Sequence, residues 1–227
     1  MNNAITEFEK AVIGIKQLNA IYDHLFSHLH LEAAASEILR SQLVYIVSAM
    51  DRYFHEIVRI GFLEEYHGTR IQTDAYRKWS FSSKKVAEIV KYGHPAFVPT
   101  SVTETVDYVV NTDIQEKNSV LAFQQPDKIK DALSLIWLEQ QKMVKIAHQM
   151  NLEPAHTDND RKKLLDQKIK LISVRRNQIV HEGDIDPVTL DRRNVSKTVI
   201  EDYIDFIDLF VHLVHTLVTD NTCYTHP

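Results

Sequence analysis

Apolar residues recur every three or four positions along most of the chain, the spacing that puts them on one face of a helix. Phe8, Val12, Ile15, Leu18, Ile21, Leu25 and Leu29 predict a first amphipathic helix from Ile5 to about Leu29. Ile38, Leu39, Leu43, Ile46, Met50, Phe54, Ile57 and Ile60 form a wider stripe and predict a long central helix from about Leu31 to Tyr66. Residues 67–100 lose the pattern apart from a short helical run at Lys84 to Lys91, which Ser82 or Ser83 is placed to cap. Ser101-x-x-Glu104 reads as a capping box opening a helix through Ile114. Pro126, suited to a first helical position, opens another, which Ile129, Leu133, Ile136, Val144 and Ala147 carry to near Asn151. Thr157-x-x-Asp160 starts a further helix near Asp158, and Gly183 is placed to cap its end. The last helix, from about Ser196 to Thr219, has two adjacent apolar stripes. So wide an arc points to burial against more than one neighbour, a second subunit among them.

Composition agrees with an all-α fold. Five glycines and six prolines in 227 residues leave too little turn punctuation for a sheet protein, and 44% hydrophobic content suffices for a large core. The expected architecture is one up-and-down helical bundle over residues 1–220, with an irregular, partly helical insertion at about 67–125 and a loose tail at 221–227. A net charge of -5 shows no global basic excess, so any nucleic-acid contact must be local. The single cysteine, Cys223, excludes a disulfide framework. No stretch has the length and apolarity of a membrane span, and the early acidic and basic residues do not form a signal peptide. The expectation is a soluble, cytoplasmic protein that does not engage membranes.

Several chemistries are missing: there is no glycine-rich phosphate loop, His-Glu-x-x-His or Cys-x-x-Cys. His24, His28 and His30 cluster without acidic or thiol ligands and read as a solvated edge, Asp184-x-Asp186 reads as a turn, and no cofactor is expected. Trp79 and Phe81, beside Lys84 and Lys85, read as aromatics pinning a connection to the core; stacking on nucleic-acid bases is the alternative.

The exception lies between Leu165 and Asp186. Leu165, Ile169 and Ile172 are followed in the same 4-3-4-3 register by Arg176 and then Ile179, so an arginine occupies a core-facing slot. A guanidinium stays charged and is costly to bury alone, so it is paired with an acid or aimed at an anion. Asp51, an acid within the long second stripe, is a candidate partner. Asn177 and His181, four apart, share one face near the helix end. Histidine exchanges protons near neutrality and arginine offers donors shaped for phosphate, a pair suited to metal-free phosphodiester chemistry.

Arg176-Asn177-Gln178-Ile179-Val180-His181 resembles the R-N-x-x-x-H form of the R-x(4-6)-H motif of the HEPN superfamily, and its surroundings, Arg175 to Asp184, resemble the RiboL-PSP-HEPN type. The resemblance implies a metal-independent endoribonuclease that works as a homodimer, with two motifs meeting in one cleft. It implies that His181 transfers protons, Arg176 steadies the phosphate, and Asn177 supports the geometry. Asp51 is similar to the acid of the early helix in such domains. Arg175 and Glu182 flank the motif and are expected to support it, with Arg175 and Arg176 touching RNA. The products implied are a 2′,3′-cyclic phosphate and a 5′-hydroxyl, in a toxin, phage-defence or RNA-processing setting that brings in an antitoxin or regulatory partner. The alternative is a non-catalytic module for RNA or nucleotide binding or for dimerisation.

Overall fold

The apolar stripes become helices in the computed structural model, which describes residues 1–220. The tail at 221–227, with Cys223, lies outside the described residues. In chain order the α-helices are α1 (Asn2–Asp23), α2 (Glu32–Tyr66), α3 (Asp74–Arg77), α4 (Ser83–Tyr92), α5 (Val106–Ser119), α6 (Pro126–Ser134), α7 (Lys142–Met150), α8 (Asp158–His181) and α9 (Lys197–Asp220). A π-helical turn, His24–His28, finishes α1, and a 3-10 turn, Val102–Glu104, precedes α5. No strand occurs among the described residues, and none of the helices is long and apolar enough to cross a membrane. The protein is all-α.

The central α2 buries Leu39, Leu43, Ile46, Met50, Phe54 and Ile57 against its neighbours α1, α5, α8 and α9. Burying large aliphatic and aromatic side chains contributes roughly 1.5–3 kcal/mol each, so this stripe is a principal source of stability. Gly61 shows how closely α2 is approached: a Cβ there would lie 2.6 Å from Ile136 Cγ2. Trp79 belongs to this core, as expected, packing on Phe62 at 4.8 Å between ring centroids and donating its indole N–H to Asp113 at 2.8 Å.

Three expectations change. The capping box at Ser101 does not open α5. Glu104 instead accepts from the Thr100 amide and hydroxyl, and Thr105 caps the helix by accepting the Tyr108 amide. The helix expected from Pro126 to Asn151 is two helices. Between them the Leu135 carbonyl accepts from the Thr73 hydroxyl and the Ile136 carbonyl from Arg70, while Ile136 and Trp137 turn into the core. Distant side chains thus take carbonyls that a continuous helix would use itself. Finally, the wide apolar arc of α9 is covered mostly within the chain. Tyr203, Ile204, Ile207, Phe210, Val211 and Val214 are buried, and α9 packs on α1, α2 and α7. A second subunit is therefore not needed to bury this arc.

Candidate functional site

Local sequence positions the site through α8. Thr157 caps its start, accepting the Asp160 amide at 3.1 Å. At its other end Gly183, at φ +62°, occupies the left-handed conformation that glycine tolerates best, and the Asp184 amide returns to the Gln178 carbonyl at 2.9 Å. The motif therefore lies in the last two turns of a helix stopped sharply after His181.

Arg176 continues the buried Ile169–Ile172 face, as its register requires, but remains half-buried. Its Nη1 donates to Asn177 Oδ1 at 3.1 Å, while its Nε is buried without a hydrogen-bond partner among the described residues. His181 is exposed and makes no hydrogen bond or ion pair among the described residues. The last two turns of α8 thus carry an imidazole open at both nitrogens and, on the same face, the Asn177 amide, with the Arg176 guanidinium on the adjoining, more buried face.

Asp51 does not hold Arg176. Its Oδ1 accepts the Phe123 amide at 2.5 Å, and its Oδ2 lies 3.7 Å from Nε2 of His55, a residue that sequence spacing did not single out. The next carbonyl, of Gln124, accepts from the Ser173 hydroxyl on α8. Asp51 therefore reaches the motif helix only indirectly, through the 123–124 link, one turn before Arg176.

Arg175 also departs from expectation. It forms an ion pair with Asp184 through both guanidinium ends, the longer contact being 2.9 Å, and so is committed to the fold rather than left for RNA. Arg40, from α2, joins the same carboxylate at 2.5 Å and donates to the Arg193 carbonyl at 2.8 Å. Burial opposes ionisation of Asp184, but hydrogen bonds from Arg175 and then Arg40 outweigh it and hold the carboxyl below the usual range. The only sequence hint of Arg40 is that it interrupts an apolar stripe, as Arg176 does. Glu182 pairs with Arg193 at 3.2 Å and braces the turn after α8. Asp186 accepts the amides of Val188 and Thr189. Among the described residues no group of three or more His, Cys, Asp or Glu side chains is arranged to hold a metal ion.

Arg40 near Asp184 and Asp51 near the Ser173 level tie α2 to α8 in antiparallel order. A family model, that of RiboL-PSP-HEPN, matches residues 9–220. No curated protein and no solved structure matches the chain.

Proposed function

The chain belongs to the RiboL-PSP-HEPN family, within a superfamily whose members are often nucleases or RNA-binding proteins, and from this premise we propose that it is a metal-independent endoribonuclease. The observation that carries the reading is the presence, within the last two turns of α8, of an exposed His181 and of Arg176, neither His181 nor the Arg176 Nε having a partner among the described residues.

In this reading His181 takes the proton of a ribose 2′-hydroxyl, which attacks the adjacent phosphorus. The bond from phosphorus to the 5′-oxygen breaks, leaving a 2′,3′-cyclic phosphate, and the departing oxygen takes a proton to become a 5′-hydroxyl. Arg176 offers fixed donors to the phosphoryl oxygens, where negative charge builds in the transition state. Asn177 holds the guanidinium through Oδ1 and keeps its amide N–H groups for substrate.

The motif of one protomer supplies one histidine, whereas the reaction uses a base and an acid. A homodimer placing two motifs together supplies both. Exposed apolar side chains on α8 support this arrangement: Leu171, Val174 and Val180 surround the motif at 53%, 51% and 43% exposure. A toxin, phage-defence or RNA-processing setting, with an antitoxin or regulatory partner, belongs to the same proposal.

Incubation of the purified protein with RNA in EDTA tests the activity. Wild type should yield cyclic-phosphate ends and His181→Ala should not; equal cleavage by both would overturn the assignment. Retention of RNA without cleavage would favour a non-catalytic binding module.

A further inference from the structure

Away from the motif, a recess of about 520 Å³ opens between the N-terminal ends of α6 and α7 and the flank of α8. Lys130, Lys142, Lys162 and Lys170 line it against only Asp127 and Asp166, a local positive excess in a chain whose net charge is -5. Asp166 is already paired with Lys162 at 2.5 Å, whereas Lys130 and Lys170 are exposed and have no carboxylate partner among the described residues. Lys142 is 6% exposed, and its Nζ donates to the Glu139 carbonyl. Burial, opposed by Glu139 and reinforced by the neighbouring Lys130, lowers the Lys142 pKa. A buried cation crowded by another cation is the arrangement an anion relieves.

The backbone adds to this field. The nine-residue α7 starts at the recess with no side-chain cap and no acid in its first turn; Glu139, just before it, accepts the Gln141 amide at 3.0 Å and pairs with Lys145. The remaining first-turn N–H groups and the positive end of the helix dipole favour negative charge at that position.

The recess is in line with the motif. Lys162, Asp166 and Lys170 follow one another at four-residue intervals, and Asn177 and His181 come seven and eleven residues after Lys170. At 3.6 residues per turn those offsets return to within about 20° of the azimuth of Lys170, and eleven residues rise roughly 16 Å. We propose that this lysine recess is a phosphate-binding subsite for the RNA strand, engaging its backbone a few nucleotides from the bond held at His181. The proposal rests on the ribonuclease reading for the orientation of the strand, and it makes substrate length a determinant of affinity.

The test measures RNA binding in a His181→Ala background, so that cleavage plays no part. Lys130→Gln combined with Lys170→Gln changes two exposed side chains, and an unchanged melting temperature verifies the fold. Loss of two phosphate contacts should weaken binding of a single-stranded dodecamer roughly tenfold and reduce the log-log salt slope by about 1.4, at ~0.7 per contact. The advantage of the dodecamer over a dinucleotide should shrink by the same factor. Unchanged affinity and slope would overturn the proposal. So would protection by inorganic phosphate in wild type with unchanged RNA binding in the double variant, which would identify a small-anion site instead. If wild type fails to cleave any RNA, the nuclease reading falls, while the lysine effect on binding is still read independently.

Discussion

Arg175 and Arg176 are neighbours in sequence and have opposite assignments: Arg175 closes an ion pair on the buried Asp184, while Arg176 hydrogen-bonds to Asn177 and its Nε has no partner among the described residues. One residue of helical rotation, about 100°, is enough to send one guanidinium toward the α8 turn and the other toward the proposed cleft.

This division predicts separable phenotypes. Asp184→Ala leaves Arg175 without its acid and Arg40 with only the half-exposed Glu37 at 3.1 Å, and should cost about 3–5 kcal/mol, the range for breaking a buried pair. Arg176→Gln should lower RNA cleavage at least a hundredfold while shifting stability by about 1 kcal/mol or less. Chemical denaturation and cleavage assays on both variants check this; equal destabilisation by the two would contradict the division.

His181→Ala should remove about 10²–10⁴ of the rate, as expected for a general acid or base. Because the side chain is exposed and unpartnered, thermal melting should be indistinguishable from wild type. Unfolding of the variant would instead assign His181 to the fold.

Val174→Glu places a charge among the exposed apolar residues beside the motif. Sedimentation or light scattering should show a shift from dimer to monomer, accompanied by loss of cleavage, with little change in monomer stability. A variant that remains dimeric and active would place the subunit contact away from α8.

Glu65 provides a pH dependence of known sign. It is fully buried, accepts the Thr73 amide at 2.9 Å, and is pushed by burial to a pKa of about 7 from 4.5. Folding therefore favours its protonated form, so its stabilising contribution is complete below pH 4.5 and is lost as pH rises through about 7. The melting temperature of wild type relative to Glu65→Gln should fall across that window and level off above it. A difference between the two that does not vary with pH would reject this.

Gly61→Ala tests the α2 contact with Ile136. The added methyl meets Cγ2 at 2.6 Å and Cβ at 2.8 Å, so Ile136 or the helix must move. Overpacking of this kind costs about 1–3 kcal/mol, and a variant as stable as wild type would show that the 135–141 segment yields easily.

Much of the bundle was legible in the sequence because helix periodicity is local. Each backbone bond reaches only four residues, and apolar spacing reports the buried face wherever the partner comes from. Hence α2, α8 and α9 begin and end within a few residues of their expected limits, Thr157 and Ser82 cap where their spacing indicates, and Arg176 occupies the core-facing slot read for it. What local pattern cannot encode is which distant group completes a charge or claims a carbonyl. Arg40 and Asp184 are 144 residues apart, yet they decide that Arg175 serves the fold. Arg70 and Thr73 interrupt what reads as one helix after Pro126. Asp51 meets the Phe123 amide rather than Arg176, and four lysines from α6, α7 and α8 converge on one recess. The sequence by itself determined the helices and the motif; the tertiary structure decided which charged side chains were neutralised within the chain and which were left with donors free for an anion.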